Sequence, residues 1–274
     1  VARAVTGPAT LLGVPWDGGA SFQRGAAAGP AAIRAALHSP AGNAWTEALV
    51  DLGDPVVLQD AGDVPLGDPD DGAAARHAIT TAVARVLAGG GRPVVLGGDH
   101  SITYPVLRAV RAVHPRLTLL HVDAHMDLYD EFEGDRWSHA CPFARIMEER
   151  LCDRLVQVGI RTATPHQRQQ AARFGVEVID MLAWAQGVRP VVQGPTWVSL
   201  DLDGLDPAFA PGVAHREPGG LSTREVLALL HAVDGPLVGG DLVELTPALD
   251  PTGLSATVAA KLVRELIGTM ARPR

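Results

Sequence analysis

The chain is short of cysteine, of aromatic side chains and of basic clusters, and each shortage excludes something. Its two cysteines, Cys141 and Cys152, form no CxxC pair, so a zinc ribbon or a thioredoxin-like motif has no support. A reducing, cytoplasmic setting fits that usage. Aromatics make up 4% of the 274 residues, which leaves Ala, Val and Leu to build the core. No Lys/Arg-rich run occurs and the net charge is −8, so the footprint of a nucleic-acid binder is missing. No apolar stretch approaches the roughly 20 residues that a membrane span needs. Residues 1–10 hold no long apolar segment after a basic end, so no secretory leader is expected.

What is present is apolar enough for a large core: 47% hydrophobic against 20% charged residues, which argues against disorder. Strands are predicted at 10–14, 56–58, 93–96, 117–122, 155–158, 176–179, 196–200 and 237–243. Most are unbroken apolar runs, the pattern of strands buried on both faces of a parallel sheet. Helices are predicted between them, at 30–38, 72–87, 102–113, 142–150, 165–174, 223–232 and 255–270. Pro30 suits a first helical position, Ser101 suits an N-cap, and the glycines at 89–91 suit a stop. This βαβα rhythm predicts an α/β fold, a three-layer α/β/α sandwich around a mostly parallel sheet of about eight strands. With no repeat and no linker, one domain over 1–274 is the simplest organisation. The loops 60–71 and 206–220 are long and Pro/Gly-rich, which makes them candidates for function.

Four apolar runs end in polar clusters, where an open parallel sheet carries its active site. They are Gly97-Gly98-Asp99-His100-Ser101, Asp123-Ala124-His125-Met126-Asp127, Asp201-Leu202-Asp203-Gly204-Leu205-Asp206-Pro207, and Glu244. Carboxylates gathered at one sheet edge repel each other, and no Lys/Arg cluster accompanies them, so bound cations are the natural counter-charge. Asp123, Asp127, Asp201 and Asp203 offer hard oxygens, and His100 and His125 offer nitrogens. That set suits Mn(II) better than a structural zinc or a copper, and it is large enough for two ions roughly 3.5–4 Å apart. In extended chain Asp123, His125 and Asp127 would share one side, as would Asp201 and Asp203. Asp99 reads as a supporting group, Asp206 as a turn carboxylate, and His121 as a core or supporting histidine. His38, His77, His114 and His231 read as solvated, and Cys141 as packed.

These motifs resemble the ureohydrolase family of arginases and agmatinases, nearly end to end. Further matching segments are Leu12-Gly13-Val14-Pro15, Ser138-His139-Ala140, Gly159-Ile160-Arg161 and Asp241-Leu242-Val243-Glu244. Within the family the stretch 129–140 and the tail 259–266 look most like plant-type arginases. The resemblance implies two Mn2+ ions per subunit, one held by His100, Asp123, Asp127 and Asp201, the other by Asp123, His125, Asp201 and Asp203. It implies that His139 shuttles a proton, that Glu244 pairs with a guanidinium, and that the chain assembles as a trimer or hexamer. Asp127 is then placed to accept a proton from the attacking water. The implied reaction is hydrolysis of a small cationic guanidino substrate to urea and an amine. Arginine is the first choice of substrate, with agmatine or guanidinobutyrate as alternatives. Animal-type arginases carry Asn where this chain has Tyr129, and an acidic residue where it has Thr164. The rival readings are a non-catalytic relative used as a regulator, and a dinuclear hydrolase acting on amides or phosphates.

Overall fold

The computed structural model describes residues 7–272; residues 1–6, part of the stretch read for a leader, lie outside the described residues. Eight strands form one sheet: β1 (Ala9–Val14), β2 (Leu58–Asp63), β3 (Arg92–Gly97), β4 (Thr118–Val122), β5 (Arg154–Ile160), β6 (Glu177–Asp180), β7 (Thr196–Asp201) and β8 (Leu237–Val243). Their order is β2-β1-β3-β8-β7-β4-β5-β6, with every ladder between them parallel. Among the described residues seven α-helices connect them, α1 (Gly29–Leu37), α2 (Gly72–Ala88), α3 (Thr103–Val113), α4 (Pro142–Glu148), α5 (Pro165–Phe174), α6 (Met181–Ala185) and α7 (Thr223–His231), and α8 (Leu254–Ala271) follows β8.

Alternating side chains divide the core in two. Val94 and Leu96 of β3, Leu120 of β4 and Val198 of β7 pack with Ile33 of α1, Leu230 of α7 and Leu266 of α8. Val95, Leu119 and Trp197 from the same strands pack on the opposite face with Val83 of α2, Val106 of α3 and Phe143 of α4. The result is the three-layer sandwich that the alternating elements predict. All residues of β1, β7 and β8 are buried, which accounts for their mostly apolar sequences.

The exceptions have local causes. The run expected at 56–58 meets strand β2 only at Leu58, and β2 instead takes up the start of the loop expected at 60–71. As an edge strand paired only with β1, β2 is mostly exposed and carries no apolar signature. Arg34 of α1 holds it through ion pairs to Asp60 and Asp63 and a 2.9 Å hydrogen bond to Gly62 O. The short helix α6 escapes the sequence pattern; Asp180 caps it by accepting from Ala183 N at 2.9 Å. Asp99, rather than Ser101, caps the turn into α3, because its carboxylate accepts the Ser101 N–H at 3.0 Å. His114 is not solvated: it is half-buried and its Nε2 is enclosed without a partner. His231 is also half-buried, 3.4 Å from Glu265. Among the described residues, no helix is long and apolar enough to cross a membrane.

Candidate active site

Four neighbouring strands, β3, β8, β7 and β4, present their carboxyl ends side by side. They are far apart in sequence, yet the crossovers bring their four polar termini to one crevice. After β3, Gly98 lies beneath Trp16; a Cβ there would sit 1.7 Å from the Trp16 carbonyl oxygen, so only glycine allows this turn. His100 follows on a 3-10 turn. Glu244 follows β8 with φ 67°, and Asp127 closes the loop after β4 with φ 51°. Left-handed backbone at non-glycine residues costs on the order of 1 kcal/mol or more and recurs where side chains are aimed for function.

The expected strand-like alternation does not bring the ligand candidates together. β4 ends at Val122, so Asp123, His125 and Asp127 lie on irregular chain. Asp201 ends β7, and Asp203 sits on the 3-10 turn Leu202–Gly204. Turns, not pleats, make them converge. Gly204 permits the approach, since a Cβ there would lie 2.9 Å from Asp123 N.

The convergence is tight. His100 Nδ1 lies 3.0 Å from Asp201 Oδ2, 3.2 Å from Asp123 Oδ2 and 3.2 Å from Asp127 Oδ2. His125 Nδ1 lies 3.3 Å from Asp123 Oδ1 and 3.2 Å from Asp203 Oδ2. Asp123 thus faces both groups, one oxygen to each. His100, Asp123, Asp127, Asp201 and Asp203 are all buried, and His125 is half-buried. Among the described residues no Lys or Arg forms an ion pair with any of the four aspartates, although burial makes uncompensated charge costly.

Electrostatics record the same conflict. Burial and the charges of Asp203 and Asp123 push the Asp201 carboxyl well above the usual carboxylate range. Burial raises Asp203 to about 6. Burial works against a charge on His100, but hydrogen bonds with Asp123, Asp127 and Asp201 outweigh it and hold its pKa well above 6.5. Oxygen and imidazole donors crowded together, with Arg161 spending its nearest N–H on the Asp203 backbone carbonyl at 2.6 Å rather than on a carboxylate, are the chemistry of a divalent-cation site. The donor set fits a metal pair: one cluster of His100, His121, Asp123 and Asp127 and another of Asp123, His125 and Asp203 each bring their donor atoms within 4.8 Å of one another.

His121 belongs to the first cluster by distance only. Gln157 Nε2 donates to its Nδ1 at 3.0 Å and to Met126 O at 2.7 Å. The ring proton therefore sits on Nε2 and is donated to Asp123 Oδ2 at 2.7 Å, leaving no lone pair there for a metal. A second support reaches His100, whose Nε2 lies 2.9 Å from Ser199 Oγ, and Ser199 donates to Asp241 at 2.6 Å.

Beside the cluster, Glu244 Oε1 accepts from His100 N at 2.8 Å and pairs with His139 Nδ1 at 2.8 Å. His139 is buried; its N–H donates to Gly19 O at 2.9 Å, and its Nε2 lies 2.8 Å from Ser21 Oγ. Burial works against charge on His139, but Glu244, Asp99 and Asp127 raise its pKa to about 9. Burial would raise Glu244, but His139 beside it holds its carboxyl below the ordinary value. Asp99 stands behind, its carboxylate accepting from Gly19 N at 2.7 Å. Asp206 serves its turn, accepting from Ala208, Gly219 and Gly220 N–H groups. Cys141 is buried, as read from the sequence.

Asp127, Asp201, Asp203, His125, His139 and Glu244 all open onto one cavity of about 220 Å³. The rest of its lining carries no carboxylate, Lys or Arg: Ser21, Tyr129, Phe132, Ala140, Thr162, Thr164, Gln167 and His215. Sequence reasoning gave no role to Ser21 or His215, which also line it. Nor do Ser199, Asp241 and Gln157 receive a role from the sequence, although the signal is there to read: a polar residue inside an otherwise apolar strand.

The geometry has close counterparts. "Arginase 1, mitochondrial" of Oryza sativa subsp. indica is 46% identical over 98% of this chain and 83% of its own length. The structure of arginase from Medicago truncatula superposes with a TM-score of 0.93 at 43% identity, covering 98% of this chain and 89% of that one. The proclavaminate amidino hydrolase from Streptomyces clavuligerus superposes at 0.86 with 35% identity, covering 99% and 94%. The arginase-family profile matches residues 8–268, so this chain belongs to the arginase family.

Proposed function

We propose that the chain hydrolyses the guanidino group of arginine, releasing urea and ornithine, with two Mn2+ ions at the cluster. The observation that carries this reading is the group of four buried aspartates with His100 and the half-buried His125, none of the aspartates in an ion pair with Lys or Arg among the described residues, beside Glu244 at the cavity. His100, Asp123, Asp127 and Asp201 would hold one ion; Asp123, His125, Asp201 and Asp203 would hold the other. Hard oxygen and imidazole donors suit Mn(II). When bound, the ions supply the Lewis acidity that makes water a nucleophile near neutral pH.

The residues do the rest. Glu244 Oε2 has no hydrogen-bond partner among the described residues, whereas Oε1 has two. The free oxygen would orient the guanidinium by a charge-assisted bond, placing its carbon over the cluster. Asp127 opens into the same cavity and is placed to accept the proton of the attacking water. His139 carries the proton that the departing amine needs, and Glu244 keeps that imidazole charged.

The part of the lining without carboxylate, Lys or Arg favours arginine over its relatives. The bare ammonium tail of agmatine calls for a carboxylate, and the carboxylate tail of guanidinobutyrate calls for a Lys or Arg; apart from the ligand aspartates and Glu244, neither lines the cavity. A zwitterionic tail can be met by the hydroxyl and amide groups that do. The similarity to arginases of rice and Medicago supports the same choice. The reading includes a homo-oligomer, trimer or hexamer, and a cytoplasmic location. Urea release from arginine, agmatine and guanidinobutyrate at matched concentration tests the substrate. Arginine turned over fastest is expected; agmatine or guanidinobutyrate preferred by tenfold would refute it.

A further inference from the structure

The loop 206–220 leaves β7 and returns over the cavity, and it ends in a tie between Asp206 and the N–H groups of Gly219 and Gly220. It carries His215 to the cavity wall. The imidazole centroid lies 5.4 Å from that of His139 and 5.7 Å from that of His125, so the ring stands between the proton-carrying side of the site and the ligand cluster. Phe22 backs it at 5.7 Å with the planes tilted by 46°. Neither ring nitrogen of His215 has a hydrogen-bond partner among the described residues, in contrast to His100, His121 and His139. An aromatic ring is held half-buried against the site with its polar atoms unspent.

We propose that His215 contacts the substrate directly, its ring covering the face of the guanidinium whose edge Glu244 holds. A guanidinium donates hydrogen bonds only in its plane, so its faces stay poorly hydrated and stack on aromatic rings. The protein uses this contact elsewhere: the guanidinium carbon of Arg189 sits 3.5 Å over the Trp184 ring, and that of Arg76 sits 4.2 Å over the Trp137 ring. A carboxylate alone fixes one edge and leaves the plane free to tilt. A ring against the face removes that freedom, which matters because attack on the guanidinium carbon must come perpendicular to its plane.

The inference rests on the guanidino reading above, and one kinetic series separates the two. Urea release from arginine is measured for the wild-type chain, His215→Ala and His215→Phe, with metal content determined on each. The expected result is a rise in KM of about tenfold for His215→Ala, most of it restored in His215→Phe, with two metal equivalents throughout. A His215→Ala KM within twofold of wild type overturns the proposal. So does a His215→Phe variant as impaired as His215→Ala, since a ring nitrogen would then be the working part. Metal loss in either variant also overturns it, by assigning His215 to the cluster. Absence of urea from the wild type sinks the guanidino reading and this inference together.

Discussion

Glu244 and His139 share a single oxygen: Oε1 of the glutamate takes the imidazole Nδ1 at 2.8 Å and the His100 backbone N–H at the same distance. The carboxylate is thereby fixed by one of its atoms and keeps the other for a ligand. Glu244→Gln preserves the shape and removes the charge. A hydrogen bond to a charged group is worth about 1.5–3 kcal/mol, so kcat/KM for arginine should fall by roughly 10- to 100-fold or more. Metal content should not change. Steady-state kinetics with elemental analysis checks both, and a change of less than threefold would remove Glu244 from substrate binding.

The same pair sets a pH window. The folded pKa of His139 is raised from 6.5 to about 9, so its stabilising charge is fully present below 6.5 and is lost as pH rises through about 9. The carboxyl of Glu244 is lowered below 4.5, so its share is present above that value and lost as pH falls below it. The melting-temperature gap between the wild type and His139→Asn should therefore narrow between about pH 6 and pH 10. A gap that is constant or widening with alkalinity would show that the imidazolium does not stabilise the fold.

Asp201→Ala should have opposite effects with and without metal. Without a metal, burial and the charges of Asp203 and Asp123 act against a charge on the Asp201 carboxyl. Removing the carboxylate of Asp201, which burial and its neighbours already push towards protonation, should leave the metal-free chain at least as stable as wild type. The gain in melting temperature on adding Mn(II) should shrink, because fewer ligands bind the folded state. Calorimetry with and without metal reads both, and an undiminished metal-induced gain would take Asp201 out of the ligand set.

A row of polar residues crosses the sheet beneath the site. Gln157 of β5 pairs in register with His121 of β4, His121 with Ser199 of β7, and Ser199 with Asp241 of β8. Asp241 is the hub, accepting from Trp197 Nε1 at 2.6 Å, Ser199 Oγ at 2.6 Å and Thr103 Oγ1 at 3.1 Å. In Asp241→Asn one carboxylate oxygen becomes a donor facing another donor. A loss of about 1–3 kcal/mol of stability is expected, together with 10- to 100-fold weaker metal binding through His100. Denaturant melts and a metal titration check this, and unchanged metal affinity would show that the row serves stability alone.

Much of the fold was legible because most strands here are buried on both faces. β1, β7 and β8 stand out as mostly apolar runs, and α5 and α7 show capping residues at Thr164 and Ser222. β2 was misplaced since an exposed edge strand of Leu58–Asp63 has nothing apolar to show. The ligand candidates were legible as residue types at strand ends, but their geometry was not. Pleat alternation suggested one shared side for Asp123, His125 and Asp127, whereas irregular chain with φ 51° at Asp127 brings them together. His215 and Ser21 were invisible because each reaches the cavity from a loop, and nothing in a loop's local sequence reports what lies across from it.

The most direct test is urea release from arginine by chelator-stripped protein titrated with Mn(II). Activity absent without metal, rising until two equivalents per chain are bound and then level, is the predicted result. Urea produced at full rate by the metal-free chain, or none at any loading, would contradict the account.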